Sequence, residues 1–223
     1  TVGAQLTGDD RVRGVMFTGS TEVATLLQRN IASRLDAQGR PIPLIAETGG
    51  MNAMIVDSSA LTEQVVVDVL ASAFDSAGQR CSALRVLCLQ DEIADHTLKM
   101  LRGAMAECRM GNPGRLTTDI GPVIDSEAKA NIERHIQTMR SKGRPVFQAV
   151  RENSEDAREW QSGTFVAPTL IELDDFAELQ KEVFGPVLHV VRYNRNQLPE
   201  LIEQINASGY GLTLGVHTRI DET

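Results

Sequence analysis

The sequence predicts an α/β fold built on a mostly parallel open sheet with helices on both faces. Three observations lead there. Several short runs are apolar throughout, as strands covered on both faces are. Longer stretches between them repeat their apolar residues at helical spacing. Gly- or Pro-bearing turns separate the two kinds of segment.

Taken in order, GVMFTG (14–19) reads as a buried strand that turns at Gly19 into a helix over 20–35, with Val23, Leu26, Leu27, Ile31 and Leu35 on one face. PLIAE (43–47) and AMIVD (53–57) are strands divided by Gly49 and Gly50. A helical pattern over 62–77 ends near Gly78, and a strand follows at Leu84 to Leu89. Next come a helix over 93–108, a Gly/Pro-rich connection over 111–122 and an amphipathic helix over 126–141. The charged stretch 151–163, with the lone Trp160, reads as a surface excursion. Strand-like TFVAPTLIEL (164–173), the turn EVFGP (182–186), a strand over 187–193, a helix over 197–208 and a strand over 212–217 complete the series. QGRPIPL closes one helix and opens a strand, which places a domain boundary within 42–48 and divides the chain into 1–46 and 47–223.

Composition narrows the class. With 42% hydrophobic and 23% charged residues, the 223-residue chain has the mixture of a soluble globular protein. Its net charge of -8 is dispersed, and no run of Lys or Arg offers a phosphate-backbone footprint, so nucleic acid is not an expected partner of this segment. Apolar runs such as Val65 to Leu70 are too short to span a bilayer, and the N-terminus lacks the pattern of a signal peptide. A cytoplasmic setting is expected. Cys81, Cys88 and Cys108 contain no CxxC pair, which argues against a disulfide framework and a zinc site and for a reducing compartment. The chain starts without Met and stops just past a strand, as a piece of a longer protein would.

Four stretches carry candidate chemistry. In FTGS, the strand-to-helix turn aims free backbone N–H groups and the positive helix end outward, and Ser20 adds a hydroxyl, so Thr18, Gly19 and Ser20 could receive a phosphate. The same residues also make an ordinary helix cap. Glu47 ends a strand before two glycines; partly buried at the mouth of a sheet it would suit a general base, and facing water it would be a plain strand-end carboxylate. Cys81 follows a helix closed by Gly78. It is either a nucleophile whose thiolate Arg80 or Arg85 would favour, or a small core residue. His96, His135, His189 and His217 are scattered singly, leaving Cys81 without partners at metal-ligand spacing, so no metal is expected. Glu182 could accept the hydroxyls of a ribose and Phe184 could pack on a flat heterocycle, or both could belong to a loop-to-strand junction.

Each motif is weak alone, but the ordered set FTGS (17–20), ETGG (47–50), GQRC (78–81) and KEVFGPV (181–187) closely resembles the aldehyde dehydrogenase superfamily along nearly the whole chain. AETGGMNAMIVDSSA and FDSAGQRCSALRVLCLQ are similar to its glutamate semialdehyde (1-pyrroline-5-carboxylate) dehydrogenase branch, including the dehydrogenase module of bifunctional proline-catabolic flavoproteins. Thr48 departs from the Leu of many relatives. The resemblance implies an aldehyde dehydrogenase-like fold, with the end of a NAD-binding domain in 1–46 and an incomplete catalytic domain in 47–223. It implies Cys81 as nucleophile and Glu47 as general base. Thr18, Gly19, Ser20, Glu182 and Phe184 would contact NAD, and Ser82 the carboxylate of a small aldehyde substrate, L-glutamate γ-semialdehyde. FAD would belong only to a separate proline dehydrogenase module, if the parent is bifunctional, and the parent is expected to be a homo-oligomer. The superfamily's oxyanion asparagine, its adenosine-ribose lysine and its C-terminal anchor and oligomerisation strand have no counterpart here, so the isolated piece is expected to have little or no activity. Another aldehyde dehydrogenase, such as one for succinate semialdehyde, and a non-catalytic domain of the same fold remain open on these motifs.

Overall fold

The computed structural model describes residues 2–149 and 163–220. The excursion expected over 151–163, with Trp160, therefore lies outside the described residues except for its last position. The chain divides into two compact units, Thr1–Gly49 and Gly50–Thr223. No helix among the described residues is long and apolar enough to cross a membrane.

The first unit comprises α1 (Val2–Gly8), β1 (Val15–Thr18), α2 (Thr21–Ile31) and β2 (Leu44–Glu47). β1 and β2 pair in parallel, with Thr18 opposite Glu47. That pairing keeps Glu47 with the first unit, so the division falls after Gly49 rather than between residues 46 and 47. α1 is too short and too weakly patterned to be foreseen. α2 stops at Ile31, short of the predicted 35, because the chain then turns back: Arg34 Nη2 donates to the carbonyls of Asp9 (2.7 Å) and Val12 (3.0 Å), and Leu35 bridges to Pro41.

The second unit holds β3 (Ala53–Val56), α3 (Thr62–Phe74), β4 (Val86–Gln90), α4 (Asp91–Glu107) and α5 (Ser126–Ser141). It continues with β5 (Val146–Gln148), β6 (Thr169–Leu173), β7 (Val187–Tyr193), α6 (Leu198–Ala207) and β8 (Leu214–His217). The strands form a six-stranded sheet in the order β5-β6-β7-β4-β3-β8. All pairs are parallel except β5 with β6. This is the mainly parallel α/β architecture that the apolar runs predict. The antiparallel edge strand β5 is a three-residue, half-buried piece with no period to betray it.

Every residue of β3 and β4 is buried, as is all of β7 except Arg192. Sheet strands packed on both faces are mostly apolar, and the buried polar exceptions here, Gln90 and His189, are hydrogen-bonded. α3 contributes Val65, Val66, Val69, Ala73 and Phe74 to the core, α4 Leu98, Leu101 and Met105, and α5 Ile132, Ile136 and Met139. The register places Ala53 opposite both Val86 and Leu214, and Val86 opposite His189. The residues that lead into these strands, Asn52, Arg85, Pro186 and Thr213, therefore gather along one edge, at the amino ends of the strands.

Candidate active site

The predicted site residues fall into two groups. In the first unit, Thr18, Gly19, Ser20 and Glu47 meet at the carboxyl ends of β1 and β2, where the Gly19 N–H donates to the Glu47 carbonyl (3.0 Å). Ser20 caps α2, its Oγ accepting from the Val23 N–H (3.2 Å). The N–H of Ala24 is taken by the Ser20 carbonyl, while Thr18, Gly19 and Ser20 are all exposed. A capped helix of this length with an open first turn presents donors suited to an anion. Glu47 is exposed at the end of its short strand, the water-facing one of the two placements its position allowed.

In the second unit, Cys81, Ser82, Glu182 and Phe184 collect at the amino ends of β4 and β7. α3 ends at Phe74, earlier than the helical pattern suggests. Ser76 (φ 56°) and Ala77 (φ 54°) then adopt left-handed backbone, and Gly78 (φ 65°) continues it. Such a conformation costs a non-glycine residue about 1–2 kcal/mol, so surrounding contacts must impose it. Gly78 is the position where no side chain fits: a Cβ would lie 2.1 Å from the Gly185 carbonyl oxygen. The turn delivers Cys81 and Ser82 to the surface, where both are exposed. Cys81 is therefore not a core cysteine. Cys88, in contrast, is fully enclosed in β4, and burial pushes its thiol up to about 12; Cys108 caps α4 and is half-buried.

Two buried side chains hold the loop. Asn52 Nδ2 donates to the carbonyls of Cys81 (2.7 Å) and Ala83 (2.8 Å), and its Oδ1 accepts from the Thr213 N–H (3.1 Å). Arg85 Nη1 donates to Gly78 O (2.7 Å) and Gly185 O (3.3 Å), and Nη2 to Arg80 O (3.0 Å). Its Nε (3.0 Å) and Nη2 (2.8 Å) both reach Glu182 Oε1, and its guanidinium carbon lies 5.1 Å from the centre of the Phe184 ring. The Arg85 side chain is 1% exposed and that of Glu182 12%. Burial lowers the arginine from its ordinary pKa while Glu182 pulls the other way. Burial likewise raises Glu182 above the usual carboxylate range, against the pull of Arg85. Desolvation outweighs attraction for both groups, yet an arginine starts so high that it keeps its charge.

Of the two cations expected to serve the thiolate, Arg80 is turned away, its Nη2 donating to Ala71 O (2.9 Å) at the end of α3. Arg85 faces the loop. Sequence reasoning missed Asn52 and also Gln79, which joins the cysteine turn to the Gly/Pro-rich connection: Oε1 accepts from the Ile124 N–H (2.8 Å), and Nε2 donates to Ser76 O (3.1 Å) and Pro122 O (3.3 Å). The legible signal for Asn52 was an amide set in an apolar run, which must find partners when buried. Among the described residues no group of three or more His, Cys, Asp or Glu side chains could hold a metal ion.

Behind Arg85 lies a pair of imidazoles. His189 Nδ1 is 3.2 Å from Arg85 O, and its Nε2 is 2.8 Å from Nε2 of His135. A carbonyl only accepts, so Nδ1 carries the proton and Nε2 accepts from His135. Burial, followed by the neighbouring His135, lowers His189 from 6.5 to about 3. Burial also lowers His135, with Lys142 and Lys181 adding to it. An unfolded His189 binds its proton near 6.5 and the folded one does not. The stabilisation is thus present above 6.5 and lost as pH falls toward 3, by an amount on the order of a few kcal/mol. Hydrogen exchange of β4 and β7 amides in the full-length protein, corrected for intrinsic pH dependence, will show protection falling across that window. His189→Gln will flatten the dependence; an unchanged slope would rule His189 out as its source.

The chain belongs to the aldehyde dehydrogenase family, which it matches over residues 1–223. It is 93% identical over 223 residues to the bifunctional protein PutA of Salmonella typhimurium, a match that covers 100% of this chain and 17% of that protein. A crystal structure of bifunctional proline utilization A is similar with a TM-score of 0.89 at 47% identity, over 99% of this chain and 22% of the other. The 1-pyrroline-5-carboxylate dehydrogenase from Thermus with bound NAD gives a TM-score of 0.84 at 32% identity, over 99% of this chain and 41% of that one.

Proposed function

We propose that this chain is part of an NAD-dependent dehydrogenase that oxidises L-glutamate γ-semialdehyde to L-glutamate in proline catabolism, with the first unit ending a cofactor-binding domain and the second supplying the nucleophile. The observation that supports this best is the exposed Cys81 just beyond a left-handed turn, its loop tied through Arg85 to Glu182 and Phe184 of KEVFGPV.

Each unit, taken by itself, carries donors that would suit one part of a dinucleotide. Thr18, Gly19 and Ser20 at the open start of α2 would hold a pyrophosphate. The fixed Glu182 carboxylate would accept ribose hydroxyls, and the half-exposed Phe184 ring would lie against the nicotinamide side. When bound, NAD supplies the acceptor for the hydride of the substrate. Cys81, as thiolate, adds to the aldehyde carbon, forming a C–S bond and placing negative charge on oxygen as a thiohemiacetal. The N–H of the cysteine stabilises that charge in part. Loss of hydride leaves a thioester on Cys81. Glu47 takes a proton from water, the hydroxide attacks the thioester, and the C–S bond breaks to restore the thiolate. Ser82 donates to the substrate's carboxylate. Any FAD belongs to a separate module of the longer protein.

Steady-state rates of NADH formation by the full-length protein test the substrate. L-glutamate γ-semialdehyde should be preferred, and a larger kcat/KM for succinate semialdehyde would overturn that choice. Ser82→Ala should raise KM for the amino-acid aldehyde about tenfold, through loss of one charge-assisted hydrogen bond, and leave a short uncharged aldehyde unaffected.

A further inference from the structure

We propose that Arg85 is a positioning residue that couples the loop carrying Cys81 to the turn carrying Glu182, one guanidinium holding both segments at once. The inference rests on the reading of Cys81 as nucleophile and Glu182 as a cofactor contact. It adds that the state of the carboxylate is transmitted to the thiol.

The geometry is specific. Among the described residues Arg85 is the largest fully buried side chain. Nη1 bridges Gly78 O and Gly185 O, one from each segment, and Nη2 bridges Arg80 O and Glu182 Oε1 in the same way. A planar guanidinium with fixed donor directions meets these acceptors only if the two segments keep one mutual position. Neither segment can slip past the other, since the Gly78 position leaves no room for a methyl group against Gly185, and Gly185 is closed on another side by Ile132. Inside the protein, water cannot replace a broken arm of this network, so moving one arm strains the rest. A ligand that draws on the Glu182 carboxylate changes the charge and direction of its claim on Nε and Nη2. The remaining arms pass that change to the carbonyls of Gly78 and Arg80, which lead into Cys81.

The test is alkylation of Cys81 by iodoacetamide in the full-length protein without cofactor, followed peptide by peptide with mass spectrometry. Glu182→Gln keeps the shape of the side chain and removes its charge at the far end of the network. It should raise the Cys81 rate about threefold or more, since the Arg85 charge is no longer shared with a carboxylate. Arg85→Lys keeps a cation but cannot span the acceptors, and should lower the rate about tenfold. A merely structural arginine predicts no response of Cys81 to Glu182→Gln, so an unchanged rate there, beside weakened NAD binding, overturns the coupling. Should Arg85→Lys fold poorly, Glu182→Gln alone decides. Wild-type Cys81 reacting no faster than Cys108 overturns the nucleophile reading and this inference with it. A fast wild-type Cys81 that ignores Glu182→Gln overturns only the coupling.

Discussion

Cys81→Ala in the full-length protein should abolish aldehyde oxidation, lowering kcat by about 10⁴-fold or more while leaving NAD binding nearly intact. The covalent step has no substitute within the second unit. Cys88 lies inside β4 with its thiol pushed up to about 12, and Cys108 closes the far end of α4. An alanine is tolerated because position 81 is exposed and its backbone carbonyl, not its side chain, receives the Asn52 amide. Stopped-flow measurement of NADH formation and calorimetric titration with NAD separate the two quantities. Residual turnover within about tenfold of wild type would remove Cys81 from the mechanism.

The second large effect is expected at Gly78. Gly78→Ala should destabilise the second unit by about 3 kcal/mol or more and disable the site. Two costs combine: a left-handed backbone for an L-residue, about 1–2 kcal/mol, and a methyl group driven into the Gly185 carbonyl. Relief requires the cysteine turn and the Glu182–Gly185 turn to separate, which pulls Arg85 from Gly78 O or from Gly185 O. A buried guanidinium that loses partners is costly in its turn. Hydrogen exchange of the β4 and β7 amides and the Cys81 alkylation rate should both report the change. Native-like protection in Gly78→Ala would show that the two segments have slack, against their close packing at Gly78 and Gly185.

Much of the architecture was legible because its physical requirement is local. A strand covered on both faces is apolar at nearly every position, so β3 and most of β4 stood out as apolar runs, and β7 as a run broken only by His189 and Arg192. A helix on the core has to repeat its apolar residues, so α4 and α5 fell within two residues of their expected ends. The misses share a cause as well. α1 and β5 are brief and lack a period, and the early ends of α2 and α3 are set by tertiary contacts: Arg34 reaching back to the Asp9 and Val12 carbonyls, and a turn pressed against Gly185. In the site, Cys81, Glu182 and Phe184 could be singled out by residue type and order. Asn52 could be marked only as an amide in an apolar run that needs partners once buried, and Gln79 not at all, because an amide announces nothing about which carbonyls it will find.

By itself, then, the sequence determined which residues could carry chemistry, which segments had to be buried, and the ordered motifs that align with one family. Those properties reside in side-chain type and short-range period. Only the tertiary structure decided that Cys81 is exposed while Cys88 is enclosed, and that Arg85 rather than Arg80 serves the cysteine loop. It also decided that residues 78, 85 and 182 share one guanidinium. The parallel register brings the amino ends of β3, β4 and β7 to one edge, and no local pattern encodes which strands become neighbours. That choice depends on burying the whole sheet at once.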